Sequence, residues 1–246
     1  MSDIETYLQF INQEIDVPYY QEVQGTHYLY VLSAFHENLQ PKTYVEIGID
    51  RGEALKLANS VRKIGIDPEP RLEGDFMQHL IYEKTSDQFF EEDANNLFSK
   101  EPIDFAFIDG LHLCEFALRD FINLEKYCHE KSYIAIHDVL PRWCSEASRG
   151  RVSVSWTGDV YRVILALRKY RPDLNITILD AQPTGLAIIS GLDPTSKFLQ
   201  DNYEEIVAEI MNIHTLSFIK ARDLIMHTFP TDLYLMNFMF SHTLKK

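Results

Sequence analysis

Four side chains with acid–base or metal-binding chemistry follow two apolar runs of this chain: Asp109 and His112 follow the first, and His137 and Asp138 follow the second. Such runs are typical of buried strands, and parallel strands end at the same edge of a sheet. We therefore expect the four side chains to lie together. Asp109, His137 and Asp138 would form one side of a divalent cation site, whose ligands suit Mg²⁺ or Mn²⁺ better than Zn²⁺.

These residues could activate a hydroxyl group. Coordination to a cation lowers the pKa of an alcohol, and a nearby imidazole can accept its proton. His112 is the candidate base, since it stands shortly beyond Asp109 on the same loop. Each residue also has a structural interpretation: Asp138 and His112 could cap helices, and His137 could be a hydrogen-bonded histidine at a strand end. Their joint position favours the site.

A second candidate segment, Glu46–Gly52, joins an apolar strand to helix-forming sequence. Gly48 permits a tight turn and the close backbone approach that a ligand needs. Asp50 stands where a dinucleotide fingerprint has its middle glycine, and a pyrophosphate would meet this carboxylate. The segment therefore favours a ligand with a cationic or hydroxyl-rich end, and S-adenosylmethionine has both. By itself, the pattern also fits a plain strand-turn-helix junction.

Two further strand ends carry carboxylates. Asp67 ends the second strand, where a carboxylate can accept both ribose hydroxyls. Asp87, beside Ser86 after the third strand, is expected to contact an adenine, to cap the next helix, or to do both. The predicted cofactor-binding residues are Glu46, Gly48, Ile49, Asp50, Gly52, Asp67, Ser86, Asp87 and Asp109.

Strand-like and helix-like segments alternate from Thr43 onward, which is typical of a parallel sheet with crossover helices. We predict strands at 43–48, 63–67, 81–85, 103–109, 133–138, 175–180 and 185–190, and helices at 53–61, 88–98, 114–127 and 159–169. The connection between the last two strands is too short for a crossover, so they should pair antiparallel at the end of the sheet. This predicts an α/β, Rossmann-like, seven-stranded sheet with one antiparallel strand, as in class I methyltransferases.

The composition restricts the partners of the chain. A formal net charge of −14 leaves no basic surface for nucleic acid or anionic membranes, so we expect a small-molecule or protein partner. No apolar run is long enough to span a bilayer and the first residues are acidic, which predicts a cytoplasmic protein. The cysteines form no C-x-x-C pair, so neither a disulfide framework nor a thiolate zinc site is indicated.

The predicted organisation is a core at 43–193 with helical additions at 1–42, expected to be a cover or lid, and at 194–246. The segment 233–240 is unusually apolar, and we expect it to pack on its own domain in preference to a homodimer contact. The polar stretch 142–155 is expected to be either a lid or acceptor loop or an exposed linker. Tyr19, Tyr20 and Trp143 are candidates for the acceptor pocket.

The motifs together resemble those of class I S-adenosylmethionine-dependent methyltransferases, and most closely methyltransferase family 24. They are Glu46–Gly52, Ile64–Pro68, Phe107–His112, Ile136–Val139 and Trp156–Val160, and the resemblance runs from about Thr43 to Asp193. It implies an enzyme that methylates a hydroxyl of a small-molecule acceptor with S-adenosylmethionine as cofactor.

In similar enzymes that methylate sugar hydroxyls, the Asp of Asp-x-x-His binds magnesium, the His acts as base, and an acidic pair after the next strand completes the site. The resemblance assigns these roles to Asp109, His112 and Asp138. His137 replaces the first acidic residue of the pair, which leaves the use of a metal open. An NAD(P)- or nucleotide-dependent oxidoreductase, and a methyltransferase-like protein that binds a ligand without turnover, are the alternatives.

Overall fold

A seven-stranded sheet forms the centre of the computed structural model, which describes residues 20–243. Its strands are β1 (Thr43–Ile47), β2 (Arg62–Ile66), β3 (Leu80–Tyr82), β4 (Ile103–Ile108), β5 (Cys128–His137), β6 (Asn175–Leu179) and β7 (Leu186–Ser190). They lie in the order β3-β2-β1-β4-β5-β7-β6, and β7 runs antiparallel to both of its neighbours. The predicted fold class is confirmed, with β7 as the antiparallel strand and β6 at the edge.

Ten helices surround the sheet in the part of the chain that the structure describes. They are α1 (Tyr28–Leu39), α2 (Glu53–Leu57), α3 (Ser86–Glu92), α4 (Ala94–Phe98), α5 (Cys114–Glu125), α6 (Tyr161–Tyr170), α7 (Phe198–Asp201), α8 (Tyr203–Met211), α9 (Thr215–Met226) and α10 (Thr231–Thr243). None of them is long and apolar enough to cross a membrane. The first part of the predicted N-terminal cover, residues 1–19, and with it Tyr19, lies outside the described residues.

Both faces of the sheet are covered, because successive side chains of a strand point to opposite sides. Val45 and Ala106 enter a large buried cluster on one face, while Tyr44 and Phe105 enter a second cluster on the other. All five residues of β1 are buried. A central strand of a parallel sheet needs such a continuous apolar run, which explains why the sequence identified it.

Two helix predictions were wrong in detail. The helix predicted at 88–98 is broken at Asp93 into α3 and α4. Its cap is Thr85 and not Asp87, because the Thr85 side chain accepts the Gln88 N–H and the Gln88 side chain accepts the Thr85 N–H. The helix predicted at 53–61 ends at Leu57, since Ala58 is already extended.

The apolar C-terminal segment packs on its own domain. Phe238 of α10 stacks on Phe35 of α1 with 4.2 Å between ring centroids, and Tyr234 lies on the same ring. Leu233 and Met236 remain exposed. Packing on its own domain is therefore confirmed for Tyr234 and Phe238, while a homodimer contact stays a prediction.

Candidate active site

A cavity of about 1320 Å³ opens where β1 to β5 end. An open α/β sheet binds its ligands at this edge, where the loops after the strands converge. The predicted cofactor residues line this cavity except for Gly52, whose Cα faces the Phe76 ring. The cavity is also lined by His112, His137 and Asp138. The structure thus brings the two candidate segments of the sequence into one site.

Gly48 brings the loop after β1 against the loop after β4. Its φ is +82°, and a Cβ at this position would lie 2.1 Å from the backbone oxygen of Asp109. Only glycine allows both the left-handed conformation and this contact. Gly48 therefore makes the close approach predicted from the sequence to the backbone of Asp109, and it also lines the cavity.

Asp67 and Asp50 are held by the loops around them. One oxygen of Asp67 accepts the backbone N–H groups of Ile49 and Asp50, at 3.0 and 3.1 Å. The Asp50 carboxylate pairs with Arg71 at 2.6 Å. The charge of Asp50 is therefore partly neutralised, and this carboxylate would repel a pyrophosphate less than a free one would.

Asp109, His112, His137 and Asp138 form one cluster, as the sequence predicted. Nδ1 of His137 lies 3.2 Å from Oδ1 of Asp109, and the two nitrogens of His112 lie 3.4 Å from Asp109 and 3.1 Å from Asp138. Possible metal-ligand atoms of Asp109, His137 and Asp138 lie within 4.8 Å of one another. Two carboxylates and an imidazole at this spacing fit the donor set of a divalent cation.

Within the cluster, the pKa of Asp109 is lowered and the pKa values of His112 and His137 are raised. Burial acts to raise the pKa of Asp109, but the imidazoles of His137 and His112 outweigh it and lower the pKa. Burial likewise acts to lower the pKa of His112, but Asp138 and Asp109 raise it to about 9. The pKa of His137 is raised by the same carboxylates against the effect of burial. Asp109 and the two imidazoles therefore favour each other's charged forms.

The segment after the polar stretch positions His112. The Trp156 carbonyl lies 2.7 Å from Nδ1 of His112, and the two rings stack at 5.1 Å. Because a carbonyl only accepts, Nδ1 carries the hydrogen and Nε2 is the nitrogen that can take a proton in the neutral ring. A Cβ at Gly158 would lie 1.6 Å from the His112 backbone oxygen, so the segment contacts this loop directly.

The polar stretch 142–155 is anchored, not a free linker. Arg149 pairs with Glu115 and with Asp159, and Asp159 accepts the backbone N–H of Cys114 at 2.8 Å, which caps α5. Arg151, Val154 and Ser155 line the cavity. Val152 and Val154 are exposed, so the stretch is an exposed loop at the edge of the cavity, and its role as a lid or acceptor loop stays a prediction. Tyr20 and Trp143 instead contact each other, and neither is among the residues that line the cavity.

Sequence reasoning missed three residues of the site. The Tyr28 ring lies 4.0 Å from that of His137, the Thr184 hydroxyl bonds to Asp138, and Asp120 is a buried carboxyl group in the cavity lining. Thr184 lies in the short connection between β6 and β7. The length of this connection predicts that the two strands are antiparallel, but it does not indicate a role for Thr184. Tyr28 lies in a helix and has no local motif that would have identified it, while Asp120 lies in the helix after the Phe107–His112 motif, where no role was predicted for it.

Glu46 lies in the wall of the cavity and is 2% exposed. The Tyr44 hydroxyl donates to its carboxyl group at 2.8 Å. Burial raises the pKa of Glu46 to about 8, although the bond from Tyr44 opposes the shift. The group therefore holds its proton in the folded protein at pH values where the unfolded chain has lost it.

Glu46→Gln is expected to flatten the dependence of stability on pH. The pKa of Glu46 rises from 4.5 in the unfolded chain to about 8 in the fold, so the wild type loses stability as the pH rises through this interval. The loss from this group is about 3 to 5 kcal/mol. Urea unfolding between these pH values should show a smaller decline for Glu46→Gln, and an unchanged one for the exposed Glu130→Gln. Equal declines in wild type and Glu46→Gln would contradict the assignment.

Residues 23–139 match the family model of methyltransferase family 24, described as a methyltransferase domain. None of the curated proteins matches the chain. A putative O-methyltransferase from Klebsiella pneumoniae is 14% identical with a TM-score of 0.49, over 78% of this chain and 97% of that one. The O-methyltransferase from Bacillus cereus, in complex with SAH, is 13% identical with a TM-score of 0.49, over 78% and 89%.

A third solved structure is MycE methyltransferase from the mycinamycin biosynthetic pathway, in complex with Mg and SAH. It is 15% identical with a TM-score of 0.46, over 68% of this chain and 50% of that one. Identities this low transfer no residue roles. The roles of individual side chains in this chain are therefore argued from its own geometry.

Proposed function

We propose that this chain is a class I methyltransferase that transfers a methyl group from S-adenosylmethionine to a hydroxyl oxygen of a small-molecule acceptor. The observation that carries the proposal is the position of His112 between Asp109 and Asp138 in the lining of the large cavity. A base beside two carboxylates suits the deprotonation of an alcohol.

The cofactor would occupy the part of the cavity lined by the loops after β1 to β3. Gly48, Ile49 and Asp50 line this part. Asp67 accepts two N–H groups at Oδ2 and the Glu69 N–H at Oδ1, which leaves one acceptor site for a ribose hydroxyl. Glu46 is protonated near neutral pH in the ligand-free protein, and a cationic amino acid end beside it would favour its ionised form. At about 1320 Å³ the cavity exceeds the roughly 300–1,000 Å³ of a typical small-molecule site. This leaves room for an acceptor beside the cofactor.

Asp109, His137 and Asp138 would hold a Mg²⁺ or Mn²⁺ ion. A bound cation supplies positive charge that lowers the pKa of a coordinated hydroxyl and offsets the two carboxylates beside His112. The Thr184 hydroxyl orients Asp138, and the Tyr28 ring packs on His137. These contacts restrict the ligand side chains to one arrangement before an ion binds.

His112 would accept the proton of the acceptor hydroxyl at Nε2. The Trp156 carbonyl keeps the hydrogen of the neutral ring on Nδ1. Asp138 and Asp109 hold the His112 pKa at about 9, so Nε2 would present its lone pair once a bound cation offsets these carboxylates. As the hydroxyl loses its proton to His112, its oxygen attacks the methyl carbon and the carbon–sulfur bond breaks. The products are the methyl ether and S-adenosylhomocysteine.

The proposal predicts that the purified protein binds S-adenosylhomocysteine in a calorimeter and methylates a member of a panel of hydroxylated acceptors. No heat and no thermal shift at millimolar S-adenosylhomocysteine would refute it. Binding without methyl transfer across the panel would favour a ligand-binding protein, and binding of NADH instead would favour the oxidoreductase alternative.

Asp109→Asn is expected to lower methyl transfer by about 10²-fold or more and to abolish stimulation by Mg²⁺, because one ligand charge is lost. Activity of wild type, Asp109→Asn and the exposed control Asp75→Asn should be titrated with Mg²⁺ after treatment with a chelator. If the chelator leaves the wild type unchanged and Asp109→Asn is fully active, the cation has no role.

A further inference from the structure

The proposed cation site contains one nitrogen donor, the imidazole of His137. Its Nδ1 atom lies 3.2 Å from Oδ1 of Asp109 and 3.8 Å from Oδ1 of Asp138. Neighbouring ligand atoms of an octahedral ion with bonds of about 2.1 Å stand about 3 Å apart, so these distances suit three ligand atoms of one ion. The imidazole is therefore part of the donor set itself.

Packing at the end of β5 fixes the His137 ring. The side chain is 7% exposed, and its ring lies 4.0 Å from that of Tyr28 and 6.1 Å from that of Phe107, measured between ring centroids. A ring held in this way is not free to leave its position to a water molecule. An ion bound between Asp109 and Asp138 therefore meets a nitrogen as its third protein ligand.

A nitrogen donor changes which ion the site favours. Mg²⁺ is a hard cation that takes oxygen ligands, and the number of ligand charges sets how tightly such a cation binds. Imidazole suits first-row transition-metal ions, whose affinity for a given site rises from Mn²⁺ along the series. Of the three ligands here, only Asp109 and Asp138 are carboxylates. The site thus has one charge fewer than three carboxylates would give Mg²⁺, and in its place a donor that favours the transition metals.

We propose that Nδ1 of His137 makes this site select a first-row transition-metal ion over Mg²⁺. The inference rests on the proposed function, because it identifies the class of the cation in the same site. Mn²⁺ is the most stringent probe, since it binds most weakly in its series and shares with Mg²⁺ a preference for oxygen ligands.

The first test is calorimetry on the chelator-treated full chain with Mn²⁺ and with Mg²⁺, at a single pH of about 8 because a proton competes with the ion for Nδ1. Wild type should bind Mn²⁺ about 100-fold or more tightly than Mg²⁺. His137→Asn places an oxygen on the same Cγ atom without adding a charge, so its preference for Mn²⁺ should fall by about 10-fold or more. His129→Asn, near the start of β5, should keep the wild-type preference.

The second test reads the donor atom directly and needs no variant to fold. The electron spin of bound Mn²⁺ couples to the nuclear spin of a coordinated nitrogen, so pulsed electron paramagnetic resonance of the wild type should show nitrogen modulation. His137→Asn should lose this modulation. His112→Asn should keep it, which distinguishes His137 from the second imidazole of the cluster.

A smaller wild-type preference, or bound Mn²⁺ without nitrogen modulation, would overturn the role of His137. So would a preference that His137→Asn leaves unchanged, or modulation that His112→Asn removes. Calorimetry with S-adenosylhomocysteine on the same preparation separates this failure from that of the proposed function. Protein that binds S-adenosylhomocysteine but neither ion would overturn the inference and leave methyl transfer standing.

Discussion

His112→Ala is expected to reduce methyl transfer by about 10²- to 10⁴-fold and to leave the affinity for S-adenosylhomocysteine within about 3-fold of wild type. His112 is the only one of the four clustered side chains whose ring stacks on Trp156 and whose Nδ1 faces a backbone carbonyl. Removal of the imidazole takes away the base but neither the glycine loop nor Asp67. Single-turnover rates and calorimetry on the same preparation measure the two effects separately.

His129→Ala is the matched control. His129 also pairs with an aspartate, Asp104 at 2.9 Å, but it lies near the start of β5, at the opposite end of the strand from the site. Its loss should leave the rate within about 3-fold of wild type. Equal rates for wild type and His112→Ala would exclude His112 as the base. A parallel loss of rate and of cofactor affinity would assign His112 to binding.

Gly158→Ala is expected to lower both the free energy of unfolding and the rate of methyl transfer, and by more than the addition of one methyl group ordinarily does. Gly158 has φ +54°, and a Cβ there would lie 1.6 Å from the His112 backbone oxygen. The left-handed conformation costs an alanine about 1 to 2 kcal/mol, and relief of the overlap requires the backbone to move. We expect a loss of about 3 kcal/mol or more in the free energy of unfolding.

The same displacement should move His112, so methyl transfer by Gly158→Ala should fall by about 10²-fold or more. Gly150→Ala is the control within the same stretch, because a Cβ at Gly150 meets nothing within 4 Å. Thermal unfolding should show a decrease of roughly 6 °C or more for Gly158→Ala and little change for Gly150→Ala. A Gly158→Ala variant with wild-type stability and rate would show that this contact does not position the base.

The sheet was predictable because its signals are local. Each central strand contains a short apolar run, and the six residues between β6 and β7 permit only an antiparallel connection. The helix ends were less predictable. The break at Asp93 and the cap at Thr85 depend on which side chain reaches a free backbone N–H, and several residues of similar propensity compete for it.

The sequence by itself determined which residue types stand at the strand ends, and hence that Asp109, His112, His137 and Asp138 would meet. The carboxyl ends of parallel strands lie at one edge of the sheet. The positions of the strands in the sequence and the residues after each strand are therefore enough for this conclusion. The tight turn after β1, in which Gly48 adopts a positive φ, was predictable in the same way.

Only the tertiary structure decided which acidic side chains around the site have a partner. Arg119 pairs with Asp87, Arg71 pairs with Asp50, and one oxygen of the buried Asp120 has no hydrogen-bond partner among the described residues, although all three acids look alike in the sequence. Long side chains choose partners across elements that are distant in the chain, and burial decides whether an unpaired acceptor is costly. The choice of partner and the degree of burial both depend on residues that are distant in the chain. The sequence therefore located the site, and the tertiary structure determined the contacts within it.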